Sequence, residues 1–392
     1  MTQKTVTILG STGTIGENTL KCVAQHPDKF SVLALVAGSN VNLLAAQAKQ
    51  FRPKLAVVAN PALYAELQNL LHGTGIETAA GEQAVIEAAA MGADVTMSAI
   101  VGAAGLKPTL AAIKCGKTIA MANKECLVCA GELMQSEIQK YGAKLVPVDS
   151  EHSGIFQLLK NPHPNPLPEG EGISGVESVT ITASGGPFRE FSIAQMQSVS
   201  VAQAVKHPNW NMGAKISVDS ATMMNKGLEL IEAFYLFPLR ENQLKILVHP
   251  QSIIHALVEM VDGSVLAQMS LPDMCTPIAI ALAYPQRITA PVAKLRLEEI
   301  GKLSFEAPDV VRFPSLALAR AALIAGGNAP TILNAANEVA VNKFLGGEIG
   351  FLDIAKIVEK TMEKMDNQPL KSVGDVLEFD RMAREIAKEQ KC

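Results

Sequence analysis

The sequence has little of several features that would each define a class of protein. Only 18% of its 392 residues are charged and 4% are aromatic, and the formal net charge is −4. Phosphate backbones require a basic face, so nucleic acid is excluded as the main partner. No apolar run approaches the roughly 18 residues that cross a bilayer. The N-terminus lacks a basic segment followed by an apolar one. We therefore expect a cytoplasmic protein that does not bind membranes.

Cysteine is also scarce, with six residues in the chain. Thiols of a cytosolic protein are reduced by default, so we do not expect a disulfide framework. Cys126 and Cys129 form a Cys-x-x-Cys pair, but neither a second pair nor an adjacent histidine completes a zinc site. We interpret this pair as structural.

Apolar residues are abundant, at 48% of the chain, and a chain of this length should form two or three domains with large cores. In the first part of the chain they form short runs separated by helical patterns. This alternation is typical of a parallel sheet with crossover helices, and it predicts an N-terminal Rossmann-like α/β domain. The runs are residues 5–9, 32–37, 55–59, 94–100, 118–122 and 144–148.

A glycine-rich loop follows the first of these runs. Gly10, Gly13 and Gly16 lie between a predicted strand and a predicted helix, which is the context of a dinucleotide-binding loop. Glycines permit a tight turn, and the helix N-terminus then faces a pyrophosphate. Ligands of parallel sheets bind beyond the carboxyl ends of the strands. Every polar cluster in this half falls there: Gly10–Gly16, Gly38–Asn40, Asn123–Glu125 and Asp149–Glu151.

The end of the second strand indicates which nicotinamide cofactor is preferred. An NAD site places an acid there to bind the ribose 2′-hydroxyl. After Val36 this chain reads Ala37-Gly38-Ser39-Asn40, without an acid, so we predict NADPH. The Arg or Lys expected for the 2′-phosphate is also missing.

Two carboxylates, Asp149 and Glu151, lie two residues apart at the end of the last run. In a strand, side chains at i and i+2 share a face, so we expect both to converge on one point. With Glu229 they form an all-oxygen set that suits Mg²⁺ or Mn²⁺, with Co²⁺ as a further candidate. The alternative is two solvated acids at a strand end. His152 points to the other face in this interpretation and is a scaffold residue.

The stretch from Lys206 to Glu232 concentrates varied donors and acceptors in one short run. We predict a loop, a strand-like segment at residues 216–218, and a helix from Asp219 or Ser220 to about Tyr235. A helix start suits a phosphate. Ser220, Asn225 and Lys226 add donors, and Glu229 lies on the same helix face as Asn225. The alternative is a buried amphipathic helix with ordinary polar turns.

Motifs throughout the chain closely resemble the 1-deoxy-D-xylulose 5-phosphate reductoisomerase family. They are GSTGTIG, AIVGAAGL, ANKE, PVDSEHS, ASGGPFRE, KHPNWNMGAKISVDSATMMNKGLE, HPQSIIH and LNAANEVAV, in the family's order. The resemblance implies an NADPH- and divalent-metal-dependent enzyme of the non-mevalonate isoprenoid pathway. Its product is 2-C-methyl-D-erythritol 4-phosphate.

The resemblance also implies roles for individual residues. Lys124, Glu151 and His207 would be catalytic, and Asp149, Glu151 and Glu229 would hold the metal. The substrate would contact Ser150, Ser184, Ser220, Asn225, Lys226 and Glu229. The cofactor would contact Thr12, Gly13, Thr14, Ile15, Gly38, Ser39, Asn40, Asn123, Glu125 and Gly213. Ser39 stands where the family usually has Lys or Arg, and Ala214 replaces a frequent Arg.

We predict four parts of the chain: an NADPH-binding Rossmann-like domain at 1–148, a central α+β catalytic domain at 149–285, a linker at 286–312 and a C-terminal helical bundle at 313–392. Residues 207–213 would form a lid in which Trp210 and Met212 cover the site and exclude water. Residues 161–175, which are rich in Pro and Gly, would form an exposed loop. An Asp-Gly turn within 246–270 predicts a hairpin, whose exposed strand would pair in a homodimer.

Two other functions are compatible with the glycine loop. One is an NADP-dependent dehydrogenase of another sugar phosphate, without skeletal rearrangement. The other is a nucleotide-binding regulatory protein with an inactive catalytic domain. Only an active enzyme needs the three carboxylates together with Lys124 and Lys226, and all five residues are present.

Overall fold

The computed structural model describes residues 3–159, 175–207 and 213–390. They form two compact units. The first comprises residues 1–126, 134–153 and 273–293, and the second comprises residues 127–133, 154–272 and 294–392. Most of the predicted lid (208–212) and of the Pro/Gly-rich loop (160–174) lie outside the described residues.

The first unit is built on a seven-stranded sheet whose strands are all parallel. The order β4-β3-β2-β1-β5-β6-β7 reverses direction between β1 and β5, as in Rossmann folds. The predicted fold class is therefore confirmed, although the half-exposed edge strand β4 was missed. The strands are Lys4–Leu9 (β1), Phe30–Ala37 (β2), Leu55–Val58 (β3), Glu77–Ala80 (β4), Val95–Ser98 (β5), Thr118–Met121 (β6) and Lys144–Pro147 (β7).

Helices connect these strands because parallel neighbours need crossovers. The central strands are buried along most of their length, as expected of a sheet covered on both faces. The helices are Thr14–Gln25 (α1), Val41–Phe51 (α2), Tyr64–Leu71 (α3), Glu82–Ala89 (α4), Leu106–Ile113 (α5), Lys124–Tyr141 (α6, kinked at Ala130) and Ser150–Leu159 (α7).

The second unit contains a four-stranded mixed sheet in the order β11-β10-β8-β9. β8 and β9 are parallel, and β10 is antiparallel to β8 and β11. The predicted hairpin is confirmed as β10 and β11, with Asp262 and Gly263 in its turn. The strands are Val176–Ala183 (β8), Leu244–Val248 (β9), Ile254–Met260 (β10) and Val265–Met269 (β11).

The C-terminal part of the second unit is helical, as predicted. Its long helix α15 is buried along most of its length, because α14, α16 and α17 pack around it. The remaining helices of the chain are Ile193–Met196 (α8), Val201–Ala204 (α9), Ala214–Ala221 (α10), Met224–Leu236 (α11), Cys275–Ala283 (α12, in the first unit), Leu297–Ile300 (α13), Ser315–Ala325 (α14), Ala329–Leu345 (α15), Asp353–Glu363 (α16) and Val373–Glu389 (α17).

Two local predictions are wrong. Residues 216–218 belong to helix α10, and Ser220 lies in its last turn, so no helix begins at Ser220. Glu151 lies in the first turn of α7, so the two-residue strand spacing does not relate it to Asp149. Within the predicted linker, Glu306 pairs with Val248 of β9. In all the parts of the chain that the structure describes, no helix is long and apolar enough to span a membrane.

Candidate active site

The glycine loop lies at the point where the strand order of the first unit reverses. A Cβ at Gly16 would overlap the carbonyl oxygen of Gly10, so only glycine allows helix α1 to start so close to β1. Gly10 has φ +91°, and a Cβ there would lie 2.7 Å from the carbonyl oxygen of Ala99. The helix is capped by Gly13, which contributes no side-chain hydrogen bond. Gly13 therefore leaves the first N–H groups of α1 without a side-chain cap, which suits a pyrophosphate.

The predicted cofactor residues of the loop lie at its surface. Gly13 and Thr14 are exposed, and Thr12 and Ile15 are half-buried. By contrast, Ser11 is buried, its carbonyl accepts a hydrogen bond from Gln47 over 2.9 Å, and its Oγ has no partner among the described residues. The hydrogen bond from Gln47 thus fixes the loop on its buried side, while Gly13 and Thr14 remain exposed to solvent.

Residues Gly38, Ser39 and Asn40 follow β2, the neighbour of β1, and all three are exposed. The Asn40 side chain caps helix α2 by accepting from the N–H of Leu43 over 3.2 Å. No acid is present in this turn, so the structure keeps the feature that favours NADPH. The hydroxyl of Ser39 provides no positive charge there.

The segment Asn123–Glu125 joins β6 to helix α6. Asn123 caps α6 by accepting from the N–H of Cys126 over 3.1 Å, and its Nδ2 donates to the carbonyls of Ile100 and Gly102. Its side chain therefore orients the loop that follows β5. Lys124 and Glu125 start the helix and are both buried.

Lys124 forms an ion pair with Asp149, and the two side chains are only 7% and 19% exposed. The pairing follows from topology, since β6 and β7 are adjacent and parallel and their carboxyl ends lie side by side. A carboxylate with so little exposure is stabilised by a neighbouring cation. This ion pair therefore links the carboxyl ends of β6 and β7.

The three residues that follow Asp149 form a connected polar group with it. Its Oδ1 accepts from the N–H of Ser150 over 3.1 Å, and the Ser150 hydroxyl donates to Glu151 over 2.6 Å. A carboxylate oxygen of Asp149 and a ring nitrogen of His152 lie within 4.8 Å of one another, close enough for one ion to contact both. His152 is fully buried. The sequence predicts a scaffold role for His152, and the structure places it beside Asp149.

In the second unit, the described residues from Gly213 onward form two helices, α10 and α11, where the sequence predicted a strand-like segment and one helix. Met223, with φ +64°, separates α10 from α11. Such a left-handed residue is rare unless the surroundings hold it, and Met223 is buried. Ser220 therefore ends one helix, and Asn225 and Lys226 begin the next. Gly213, predicted to contact the cofactor, caps the start of α10.

Asn225, Lys226 and Glu229 form a connected polar cluster at the start of α11. Asn225 donates to Glu229 Oε1 over 2.6 Å, and Lys226 pairs with Glu229 Oε2. The Lys226 and Glu229 side chains are 6% and 1% exposed. Their helical spacing was predicted correctly. At the far end of the helix, burial raises the pKa of Tyr235 to about 12, with a contribution from Glu132.

Ser184, at the end of β8, contacts His207. The two side chains share a 3.0 Å hydrogen bond between Oγ and Nε2, and the same Oγ accepts from the N–H of Gly186 over 3.2 Å. Gly186 has φ +70°, and a Cβ there would lie 2.6 Å from the carbonyl oxygen of Ser220. The turn after Ser184 thus packs on the last turn of α10. The sequence analysis assigns no role to Gly186, although two consecutive glycines directly after a strand indicate a tight turn.

Family models match most of the chain. The model described as 1-deoxy-D-xylulose 5-phosphate reductoisomerase matches residues 6–131. Its C-terminal domain model matches residues 145–237, and a DXP reductoisomerase C-terminal domain model matches residues 269–386.

Individual proteins are similar over nearly the whole length. A 1-deoxy-D-xylulose 5-phosphate reductoisomerase of Rhodospirillum centenum is 54% identical, covering 98% of this chain and 94% of its own. The Zymomonas mobilis reductoisomerase solved with NADPH is 51% identical, with a TM-score of 0.91 and 98% of each chain covered. A DOX-P reductoisomerase solved with NADPH, fosmidomycin and magnesium is 44% identical, with a TM-score of 0.90, covering 98% of this chain and 97% of its own.

Proposed function

The chain belongs to the 1-deoxy-D-xylulose 5-phosphate reductoisomerase family, and from this premise we propose how its own residues perform the family's reaction. It converts 1-deoxy-D-xylulose 5-phosphate to 2-C-methyl-D-erythritol 4-phosphate with NADPH and a divalent cation, in isoprenoid synthesis. The observation that carries the proposal is the pair of little-exposed Lys–carboxylate contacts, Lys124–Asp149 and Lys226–Glu229, because each brings together charged residues to which the resemblance assigns a role in metal, substrate or proton chemistry.

The first unit fits NADPH. The open N-terminus of α1, the close approach at Gly16 and the turn without an acid after β2 supply what the dinucleotide needs. We assign cofactor contacts to Thr12, Gly13, Thr14, Ile15, Gly38, Ser39, Asn40, Asn123, Glu125 and Gly213. Bound there, NADPH supplies the hydride that reduces the rearranged aldehyde.

The donor set fits a hard divalent cation. We assign the metal to Asp149, Glu151 and Glu229, whose oxygens suit Mg²⁺ or Mn²⁺. Asp149 and Glu229 are each paired with a lysine ammonium, which supports the assignment because both carboxylates are already beside positive charge. A bound cation supplies Lewis acidity toward the substrate's ketone and neighbouring hydroxyl.

The chain's own residues bind the phosphate and move protons. We assign the phosphate to Ser184, Ser220, Asn225 and Lys226, since they provide hydroxyl, amide and ammonium donors. Ser150 binds the sugar, and His207 binds the substrate while holding Ser184. Lys124 Nζ and a Glu151 oxygen exchange protons with the substrate's oxygens as the carbon skeleton rearranges.

We also propose that function divides along the chain as predicted. Residues 1–148 bind the cofactor, 149–285 carry metal and substrate, 286–312 connect them to the last part, and 313–392 brace the site. The chain acts in the cytoplasm as a homodimer. Support for the dimer comes from the edge strand β11, where Val265 and Leu266 are 57% and 46% exposed, because an apolar open edge is a template for pairing.

The proposal is tested by following NADPH absorbance with purified protein, 1-deoxy-D-xylulose 5-phosphate and Mg²⁺. We expect NADPH oxidation that needs all three components and stops when a chelator is added. Glu229→Gln should raise the Mg²⁺ concentration for half-maximal rate by at least about tenfold. Glu298→Gln, which changes an exposed carboxylate of α13, is the matched control and should leave this Mg²⁺ concentration unchanged. Undiminished turnover in excess chelator would contradict the metal assignment.

A further inference from the structure

Helix α10 is held by a buried carboxylate that the assigned site does not use. Asp219 is next to Ser220 in the chain and is 1% exposed. Its Oδ1 accepts a hydrogen bond from Nδ2 of Asn337 over 2.8 Å. Its Oδ2 lies 2.9 Å from Nζ of Lys215, one turn earlier on the same helix. A carboxylate buried this deeply has to be compensated, and here the Asn337 amide donates a hydrogen bond while the Lys215 ammonium supplies the opposite charge.

Asn337 reaches Asp219 from the C-terminal helical part of the same unit. It lies in the middle of α15 and is itself completely buried. A carboxylate only accepts hydrogen bonds, so the amide must direct its NH₂ group toward Asp219. Helix α15 is in turn fixed to α17, where Arg384 bonds both Glu338 and Asp380. Helix α15, which is itself tied to α17, thus fixes the orientation of α10 through Asn337.

A second contact links the end of α10 to the turn that carries Ser184. Gly186 lies so close to Ser220 and Ala221 that a Cβ would come within 2.6 Å of one and 3.0 Å of the other. A change in the tilt of α10 would therefore displace Ser220 and press on the turn after Ser184. Both serines are the assigned hydroxyl donors to the substrate's phosphate.

We propose that Asp219 is a positioning residue for phosphate recognition: tethered by Asn337 and Lys215, it fixes the last turn of α10 and so the place of Ser220. This inference rests on the proposed function, because it assumes that Ser220 binds a phosphate. It assigns a role to the motif LNAANE, which supplies Asn337, and to the aspartate of VDSA. Asp219 itself contacts no reactant.

The test compares Asp219→Asn, Ser220→Ala and the double variant. We expect Asp219→Asn to raise KM for 1-deoxy-D-xylulose 5-phosphate about tenfold with little change in kcat, since a misplaced donor weakens binding. The double variant should be no worse than the worse single one, because both changes act on one contact. The preference for the phosphorylated sugar over free 1-deoxy-D-xylulose should fall by a similar factor.

Asp380→Asn is the matched control, since it also removes a buried carboxylate of the second unit, one that pairs with Arg384. It should lower thermal stability and leave KM unchanged. If Asp219→Asn does not fold, Lys215→Met removes only the half-exposed partner and should raise KM about threefold. An unchanged KM in the folded variants, or additive effects of Asp219→Asn and Ser220→Ala, would overturn the proposal.

A binding measurement separates this proposal from the proposed function. The concentration of inorganic phosphate that gives the same fixed increase in Tm is measured for the wild-type chain and for Asp219→Asn. A rise of about tenfold in the variant supports the positioning role even if the wild-type chain does not turn over the sugar phosphate. If the phosphate concentration is the same for Asp219→Asn and the wild-type chain, the positioning role is overturned, whether or not the wild-type chain turns over the sugar phosphate.

Discussion

Ser184 Oγ and His207 Nε2 are 3.0 Å apart, although the residues are separated by 23 positions in the chain. The contact joins the end of strand β8 to the segment that precedes α10. Ser184 also accepts the N–H of Gly186, so one hydroxyl fixes both the glycine turn and the histidine. Two residues that were assigned to the substrate separately are thus one hydrogen-bonded unit.

Because they form one unit, the effects of changing them should not add. Ser184→Ala and His207→Ala should each raise KM for the sugar phosphate about tenfold, the value of one hydrogen bond to a charged group. The double variant should be close to the worse single one. Steady-state kinetics measure this, with Ser192→Ala, which removes only the cap of α8, as the control that keeps KM. Strictly additive losses would show that the two side chains act independently.

Gly186→Ala should impair the enzyme more than its backbone conformation alone explains. The substitution places a Cβ at φ +70° and 2.6 Å from the carbonyl oxygen of Ser220. Gly263→Ala is the matched control, because it has φ +84° but no neighbour within 4 Å. We expect about 1 kcal/mol of lost stability for the control and at least about twice that for Gly186→Ala, with a raised KM. Urea denaturation measures the two losses of stability, and steady-state kinetics measure KM. Equal losses of stability in the two variants would show that the Cβ at position 186 does not clash with Ser220.

The turn after β2 predicts a preference for NADPH that can be strengthened. The wild-type chain should use NADPH more efficiently than NADH, because no carboxylate binds the ribose 2′-hydroxyl. Ser39→Arg should increase kcat/KM for NADPH about tenfold by adding a charged donor to the 2′-phosphate. Ser39→Asp should shift the preference toward NADH. Equal kcat/KM for both cofactors in the wild-type chain would contradict this account.

Asp94 makes stability depend on pH. Hydrogen bonds from the backbone and side chain of Thr5, with Lys117 nearby, hold the pKa of this carboxyl below its usual range. A lowered pKa in the folded state stabilises the fold above the unfolded pKa of about 4, and this contribution is lost as the pH falls through the folded value. Because the Asp94 side chain is 43% exposed and solvent screens it, Asp94→Asn should cost no more than about 1 kcal/mol at pH 7, and the difference should vanish in acid.

Urea denaturation at several pH values measures the Asp94 effect. Lys117→Gln is the control, because the pair is 3.7 Å apart with side chains 50% and 43% exposed. Such a surface pair contributes little, so this variant should differ from wild type by well under about 1 kcal/mol. A loss for Asp94→Asn that is the same at pH 7 and in acid would refute the assignment.

The parallel sheet was predictable because buried strands leave continuous apolar runs in the sequence, such as Val32–Ala37. Strand β4, with the sequence Glu-Thr-Ala-Ala, was not predictable, because an edge strand is half exposed and leaves no continuous apolar run. Residues 216–218 look like a strand because Ile and Val flank Ser. Tertiary packing makes them helical, and three residues are too few to show a period.

The chemistry of the site was predictable where it depends on local spacing. Asn225 and Glu229 are one turn apart on a helix, and the structure joins them by a hydrogen bond. Contacts that depend on how distant segments pack were not predictable. Neither Ser184 with His207 nor Asp219 with Asn337 leaves any spacing signal, because residues separated by 23 and 118 positions meet only through the fold.

The most direct test of the proposed activity is the structure of the product. Substrate labelled with ¹³C in its methyl group is incubated with the protein, NADPH and Mg²⁺, and the product is examined by NMR. A methyl group on a carbon without hydrogen, in a branched polyol phosphate, is the predicted result. A reduced but unbranched sugar phosphate would identify a simple dehydrogenase, and recovery of unchanged substrate would show that the chain does not catalyse this reaction.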